Sequence, residues 1–256
     1  MNNSYRPFRG FSMFPPVIKN LLIINIAVFF LQTVGEMLII EPGLKLSDIL
    51  LKYFGLIPID GLTAGRIGTE TIVWNFYPWQ LITYQFMHGG FMHILFNMFM
   101  LWMFGMEIEN ILGSKKFLYY YLICGIAAGL AQLFIAPLFS TPGTTIGASG
   151  AVYGVMIAFG LMFPDRYLLL IFPPIPIKAK YLIGFFIVFE ILAVDSANDT
   201  VAHLAHLGGA LAGFLFIMFD KNIDVPLKQM WNISRSRSGS NKRATKRRIA
   251  RGNAAI

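Results

Sequence analysis

The chain has 256 residues, of which 56% are hydrophobic and only 13% are charged, and its formal net charge is +8. Soluble domains carry about 25% charged residues, whereas residues 117–164 of this chain contain no Asp, Glu, Lys or Arg. No water-exposed surface can be built from such a stretch, so the composition excludes a soluble globular domain and indicates a multi-pass membrane protein. The single cysteine, Cys124, excludes an intrachain disulfide framework.

Six apolar stretches are each close to the roughly 20 residues that a membrane-spanning helix needs. In chain order they are residues 17–40, 90–108, 117–138, 147–163, 179–194 and 200–219. The sequence therefore predicts an all-α membrane protein with six transmembrane helices. The first two spans are separated by a long connection, residues 41–84, that contains the aromatic residues Trp74, Phe76, Tyr77 and Trp79. Such residues favour the membrane interface, so we expect this loop to lie partly in the bilayer edge.

The remaining connections are short, and their charge predicts the orientation of the chain. They are residues 113–116 (a turn), 140–143 (a loop), 164–178 (Pro-rich) and 195–199 (acidic). Lys and Arg residues concentrate before the first span, after the second, between the fourth and fifth, and after the sixth. Since cytoplasmic loops are the basic ones, we expect both termini to be cytoplasmic.

This layout divides the chain into three parts: an N-terminal cytoplasmic segment (residues 1–16), a membrane domain (17–220) and a basic tail (221–256). The tail holds ten of the 21 Lys and Arg residues and one acid, Asp224. Its polar composition predicts disorder. On a membrane protein, binding to anionic lipid is the favoured role for such a tail, and we expect no nucleic-acid partner.

A serine and a histidine stand out because polar side chains are costly at membrane depth and therefore mark function. Ser149 lies at the outer end of the fourth span, between Ala148 and Gly150, and His206 lies in the sixth. The predicted orientation puts His206 about six residues, or roughly 9 Å at helical rise, below the outer end of its span. The two depths are similar, so the pair could form a hydrolytic nucleophile and its general base.

Further polar residues suit an oxyanion hole, and others have simpler explanations. His93 and Asn97 share one face of the second span, and both could join the Ser149 backbone N–H as donors to an oxyanion. We expect His88 and His203 only to pack or to tie helices together. Glu190 is expected to reach the interface or accept a hydrogen bond, so the site is predicted as a Ser–His dyad without a third acid. No histidine stands in an H-E-x-x-H motif, and we predict no metal and no cofactor.

Glycines at four-residue spacing predict which spans meet. Gly150 and Gly154 repeat on the fourth span and Gly209 and Gly213 on the sixth. Small residues at this spacing allow two membrane helices to approach closely, which would bring His206 toward Ser149. Tyr153 lies on the same face as Ser149, one turn further along the helix.

Four motifs in order resemble those of the rhomboid intramembrane serine proteases, in the six-helix core form of bacteria, over about residues 17–220. They are HGGFMHILFN at 88–97, ENILG at 109–113, GASGAVYG at 147–154 and AHLGG at 205–209. The resemblance implies Ser149 as nucleophile, His206 as base, and His93, Asn97 and the Ser149 backbone as oxyanion hole. It also implies that Gly147 belongs to the serine motif, that Tyr153 stacks on His206 and that Glu109 fastens the connection after the second span.

The resemblance further implies an endopeptidase that cleaves transmembrane protein substrates near the outer membrane face, with the long connection as the laterally projecting first loop. A bacterial inner membrane is the expected location. The family commonly has Trp-Arg where this chain has Trp79-Gln80, so the anchoring of that loop is expected to differ. Two other classes stay open: a transporter or channel, and a catalytically silent membrane chaperone of the same fold. The sequence does not predict the oligomeric state.

Overall fold

The computed structural model describes residues 11–67, 70–139, 143–169, 174–194 and 202–229. The acidic loop predicted at residues 195–199 lies outside the described residues, as do most of the predicted loop at 140–143, most of the N-terminal segment and residues 230–256 of the tail.

Eight helices lie within the described ranges, and three short strand pairs decorate them. The helices are α1 (Pro16–Gly35), α2 (Leu46–Phe54), α3 (Gln80–Thr83), α4 (Phe91–Leu112), α5 (Ser114–Phe134), α6 (Ser149–Met162), α7 (Ala179–Ala193) and α8 (His203–Phe219). The strands are β1 (Ile39–Glu41), β2 (Leu44–Lys45), β3 (Leu62–Ile67), β4 (Glu70–Trp74), β5 (Tyr167–Leu169) and β6 (Pro176–Lys178). β1–β2, β3–β4 and β5–β6 are antiparallel pairs.

The helical membrane bundle is confirmed, and a helix overlaps each predicted span. Among the described residues, α1, α4 and α5 with its 3₁₀ extension to Leu138 are long and apolar enough to cross a membrane. α6 has 14 residues and α8 has 17. At helical rise α6 is about 21 Å long, less than the roughly 30 Å of a bilayer core. The count of six complete spans therefore stays a prediction.

Two predicted boundaries are wrong, and one strand pair was not predicted. α1 ends at Gly35 rather than at residue 40, because the chain turns there and pairs β1 with β2. The turn predicted at residues 113–116 is a single residue, Gly113, whose φ of 76° suits glycine, and α5 starts directly after it. The connection at 164–178 contains the β5–β6 pair, which was not predicted because prolines argue against strands.

The long first connection is ordered by a buried glutamine. Gln80 is fully buried, its Oε1 accepts the backbone N–H groups of Ile57 and Tyr77 at 3.2 and 3.1 Å, and its Nε2 donates to Lys52 O at 2.9 Å. The neighbouring Trp79 donates to Tyr53 O at 2.8 Å. The amide thus binds α2, the residues that follow it and the segment that leads into α3, which is how this loop is anchored without an arginine.

Charged side chains gather at one end of the bundle. Lys116 at the start of α5 pairs with Asp220 after α8, and Arg166 after α6 pairs with Glu107 near the end of α4, each at 2.5 Å. Asp165 pairs with Lys178 and Lys180 around the start of α7. We call this the charged end. Ser149 and His203 begin α6 and α8 at the opposite end, so the Ser–His pair lies away from the charged end.

Candidate active site

Ser149 is the first residue of α6, and the segment before it is irregular and partly buried. Residues 143–148 precede α6, and Thr145 forms a β-bridge with Leu56. The N–H of Gly147 donates to Tyr84 O at 2.9 Å, and its φ of 127° is one that a residue with a side chain rarely adopts. Non-helical backbone is tolerated at membrane depth where it is buried in protein. This segment therefore leads the chain into α6, which begins at Ser149.

Ser149 and His206 meet directly. Ser149 Oγ lies 2.7 Å from Nε2 of His206, which projects from the first turn of α8. The serine is half-buried and the histidine is 9% exposed. The ring of Tyr153 stacks on the imidazole with centroids 4.6 Å apart and an interplanar angle of 10°. The contact has the geometry of a nucleophile and its base.

Glycines allow this meeting because α6 and α8 touch backbone to backbone. A Cβ atom at Gly209 would overlap the carbonyl of Gly150, and one at Gly213 would come within 2.8 Å of Gly154 Cα. A Cβ at Gly154 would likewise lie 3.1 Å from Gly209 O. We call this four-glycine contact the glycine seam. It fixes the separation of the two helices and hence the reach of His206 to Ser149.

His93 projects from α4 to the entrance of α6. Its Nδ1 accepts the N–H of Gly89 at 3.2 Å, so in the neutral ring Nε2 carries the proton. A Cβ at Gly147 would come within 2.8 Å of that Nε2, which places the donor directly beside the serine motif. The N–H of Ser149 is also available, because the first N–H groups of a helix have no partner within the helix. Two donors therefore converge near the serine.

Asn97 lies one helical turn beyond His93 and is turned back toward its own helix. Its Nδ2 donates to His93 O at 2.9 Å, and the residue is buried. A carboxamide has a second N–H, which this bond leaves uncommitted. The structure thus brings Asn97 to the His93 side of the site without a direct contact to Ser149.

A carboxylate that the sequence did not assign to the site lies beside the base. Glu190 of α7 is 3% exposed, so the expectation that it reaches the interface is wrong, whereas the alternative, that it accepts hydrogen bonds, is confirmed. Its Oε2 lies 3.0 Å from His206 Nδ1, and its Oε1 accepts the hydroxyl of Tyr153. The expectation that no acid accompanies the pair is therefore also wrong. Glu190 precedes His206 by 16 residues on another helix, and no local spacing marks that proximity.

His203 ties α8 to α7 through Glu190. Its Nδ1 lies 2.6 Å from Glu190 Oε2, and its ring meets that of His206 edge-on, with centroids 6.4 Å apart. Glu190, His203 and His206 each have a potential metal-ligand atom within 4.8 Å of the others. No H-E-x-x-H motif marks this group of residues in the sequence. His88, the other histidine expected to pack, is 2% exposed and lies edge-on to His93 at 5.1 Å.

Glu109 fastens two segments at the charged end. Its carboxylate accepts the N–H groups of Val17 and Ile18 at 3.0 and 2.8 Å and the hydroxyl of Ser114 at 2.6 Å. It therefore caps the start of α1 as well as the connection after α4, which extends the role implied by the sequence motif.

Comparison with known proteins adds a family match to this geometry. The Rhomboid domain model matches residues 75–222. The chain is 32% identical over 170 residues to the Presenilin-associated rhomboid-like protein, mitochondrial, of Bos taurus, covering 60% of this chain and 42% of that protein. It is 31% identical over 213 residues to Rhomboid protein 1, mitochondrial, of Saccharomyces cerevisiae (82% and 55%). It is 26% identical over 230 residues to RHOMBOID-like protein 1 of Arabidopsis thaliana (83% and 55%). The chain spans about half the length of these relatives.

Proposed function

The chain belongs to the rhomboid family, and from that premise we propose that it is an intramembrane serine endopeptidase with Ser149 as nucleophile and His206 as general base. The observation that carries the proposal is the 2.7 Å contact between Ser149 Oγ and His206 Nε2 inside an apolar helical bundle. Polar and ionisable side chains are costly in an apolar setting, so a serine joined to a histidine there is by default a candidate functional site.

The reaction follows from the atoms present. His206 Nε2 takes the hydroxyl proton as Ser149 Oγ attacks the scissile carbonyl carbon, and the carbonyl oxygen becomes an oxyanion. His206 then gives the proton to the leaving amine, and an acyl-enzyme remains on Ser149. Water deprotonated by His206 attacks the ester, and the proton returns to Ser149 as the acid product leaves. Each preorganised oxyanion donor is worth roughly 3 to 4 kcal/mol at most, and Ser149 N–H, His93 and Asn97 are the donors we assign.

The substrates proposed are transmembrane proteins, cut near the outer membrane face. The charged end carries Lys116, Arg166, Lys178 and Lys180, which the bias of cytoplasmic loops toward Lys and Arg assigns to the cytoplasm. Ser149 then faces the outside, within reach of water. A helical substrate hides its carbonyls in hydrogen bonds, so we expect cleavage where small or helix-breaking residues let the segment unwind.

The proposed organisation keeps residues 17–220 as the membrane domain, with lipid-facing side chains around it and the basic tail at the cytoplasmic face. The protein is a multi-pass membrane protein. The relatives described above are mitochondrial and plant proteins, and they give the expected bacterial inner membrane no support, so that location stays a prediction.

Replacement of the nucleophile tests the proposal. Ser149→Ala should abolish cleavage of a model transmembrane substrate in detergent, while the unfolding temperature stays near that of the wild type, because only one oxygen is removed. His206→Ala should be as inactive, and the double variant no worse, since the two residues act as one unit.

Ser47→Ala is the matched control, since Ser47 is a largely buried serine of α2 and should keep full activity. Full activity in Ser149→Ala would contradict the protease assignment and would favour a catalytically silent protein of the same fold, which has no need for this hydroxyl.

A further inference from the structure

Glu190 has no role in a mechanism that uses only Ser149 and His206. Its carboxyl group is nevertheless buried and held by several neighbouring side chains. Resting on the protease function proposed above, we propose that Glu190 is a positioning residue that holds His206 in the tautomer and orientation needed for proton transfer, so that the working unit is Ser149, His206 and Glu190.

The reaction requires one particular tautomer of His206. For Nε2 of neutral His206 to accept the Ser149 proton, the ring proton must sit on Nδ1. That N–H is buried, and among the described residues it makes no hydrogen bond of good angle. Glu190 Oε2, 3.0 Å away, is the acceptor within reach. Catalytic hydrogen bonds are commonly poorly aligned until substrate binds, so a small rotation of the imidazole completes the contact.

The carboxylate itself is locked by its other donors. Oε1 accepts the Tyr153 hydroxyl, and Oε2 lies 2.6 Å from His203 Nδ1. With the imidazole of His206 3.0 Å away, three side chains surround a carboxyl group that is 3% exposed. A buried carboxylate is tolerated only when it is paired and hydrogen-bonded. The carboxyl group of α7 is therefore held in place by side chains from α6 and α8.

Tyr153 links the two ends of the unit. Its ring stacks on His206 while its hydroxyl donates to Glu190, so one side chain sets both the plane of the imidazole and the position of the carboxylate. A residue serving only to join α7 to α8 would need no such coupling to the ring of the base.

Two other roles fit less well. A metal ion would separate its ligands: with bonds of about 2.0 Å and tetrahedral geometry, two nitrogen or oxygen ligands lie roughly 3.3 Å apart. The 2.6 Å separation of His203 Nδ1 and Glu190 Oε2 is instead a hydrogen-bond distance. A purely structural tie between α7 and α8 is the remaining rival, and it predicts no effect on the pH profile.

The pH profile is informative because few charged groups face the base. Among the described residues these are Tyr153 from α6, Glu190 from α7, His203 from α8 and His93 from α4. Tyr120 of the neighbouring α5 donates its hydroxyl to Gly154 O and not to the imidazole of His206. Glu190 is thus the negative charge opposite the imidazolium that forms during the reaction, and its removal leaves that cation without its counter-charge.

The test compares Glu190→Gln with Glu190→Asp in detergent, measuring kcat and KM against pH together with the rate at which a fluorophosphonate labels Ser149. Glu190→Gln should lower kcat and labelling by about 10²- to 10³-fold, within the roughly 10⁴-fold known for loss of an orienting acid. KM should stay within about threefold, because no substrate contact is removed. The acidic limb of the kcat–pH profile should move to lower pH by about 1 unit or more, because the imidazolium loses the nearby negative charge.

Glu190→Asp keeps the charge, so it should return the acidic limb to its wild-type position and recover part of kcat. Glu36→Gln is the matched control: Glu36 is an exposed acid directly after α1, paired with Lys45, and its loss should change neither kcat nor the pH profile. If Glu190→Gln is unfolded at the assay temperature, Tyr153→Phe carries the test. It keeps the stacked ring but removes one donor to the carboxylate, and kcat should fall about 3- to 10-fold, the size of one hydrogen bond.

Several outcomes overturn the inference. The first is a Glu190→Gln variant that the fluorophosphonate labels at a rate within about threefold of wild type. The second is a Glu190→Gln variant in which only KM changes and the acidic limb of the pH profile does not move. The third, if Tyr153→Phe is used instead, is an unchanged kcat. One equivalent of zinc in the purified wild-type protein, lost in Glu190→Gln, would make the cluster a metal site instead. Wild-type protein that no fluorophosphonate labels would contradict the protease function itself, whereas equal labelling of wild type and Glu190→Gln contradicts only the role of Glu190.

Discussion

The two helices that bring reactive groups to His206 are packed in opposite ways. α6 meets α8 through the glycine seam, where backbones touch and a single methyl group would not fit. α7 buries only Ala179, Ile183 and Glu190 of its 15 residues, all of them described. Most of its other apolar side chains are exposed, as at Leu192, which is 77% exposed. The nucleophile is therefore fixed by dense packing, and the acid is fixed by hydrogen bonds.

This difference follows from what each contact must do. Glycine is about 1 kcal/mol worse than alanine in a helix, so the four seam glycines weaken α6 and α8 locally. Close backbone approach offsets that cost in membranes and sets the 2.7 Å reach of His206 to Ser149. Glu190 needs no such approach, because a long side chain can span the gap to its partners.

The largest effect should come from breaking the seam. In Gly209→Ala, the new Cβ overlaps the Gly150 carbonyl, so α6 and α8 must separate. Overpacking of this kind costs about 1–3 kcal/mol, and we expect both a lower unfolding temperature and a loss of substrate cleavage of at least about 100-fold, since a misplacement of about 1 Å can cost that much.

Gly184→Ala provides the matched control on α7. Among the described residues nothing lies within 4 Å of a Cβ added there. This change should leave cleavage intact and hold or slightly raise the unfolding temperature, because alanine is the better helix former. Equal damage from both substitutions would contradict the contrast between the two helices.

A smaller effect is expected at Asn97 of α4, which lies outside the glycine seam. Asn97→Ala should lower kcat by less than the roughly 10³-fold that a full oxyanion donor supplies, since His93 and the Ser149 N–H remain. Kinetics in detergent and thermal unfolding of the same preparation measure this.

Asn25 is the control for this substitution, because it is a buried asparagine of α1 that donates to the carbonyl four residues earlier, Leu21 O, at 2.7 Å. Asn97 makes the same kind of bond. Asn25→Ala should affect folding alone. If Asn97→Ala also lowers stability and leaves kcat unchanged, Asn97 is a structural residue and not an oxyanion donor.

The smallest effect is expected at the opposite end of the molecule. Removing residues 232–256 deletes most of the basic tail, beyond the charged end, where α8 terminates at Phe219. Catalysis in detergent should stay within about twofold of wild type, while binding to anionic vesicles should weaken by about 1 kcal/mol per lost basic residue near the surface. Loss of detergent activity would show that the tail contributes to the site.

The sequence carried the parts of the site that local patterns encode. Ser149, His206 and the glycines stand in short motifs, and six apolar runs predicted the helical bundle. The role of Glu190 beside His206 escapes the sequence because their proximity arises from the packing of α7 against α8, which no spacing along the chain reveals. Gln80 was flagged as a departure in loop anchoring, but only the fold shows that its amide satisfies three backbone groups. The β5–β6 pair was missed because prolines argue against strands in general, whereas an isolated two-stranded hairpin tolerates them.

The pairing of Ser149 with His206 is most directly tested by labelling the detergent-solubilised wild-type protein with a fluorophosphonate and identifying the modified peptide by mass spectrometry. The account predicts a single phosphonylated residue, Ser149, with labelling abolished by His206→Ala and retained by Ser47→Ala. Folded wild-type protein that stays unlabelled, or that is labelled equally well without His206, would contradict it.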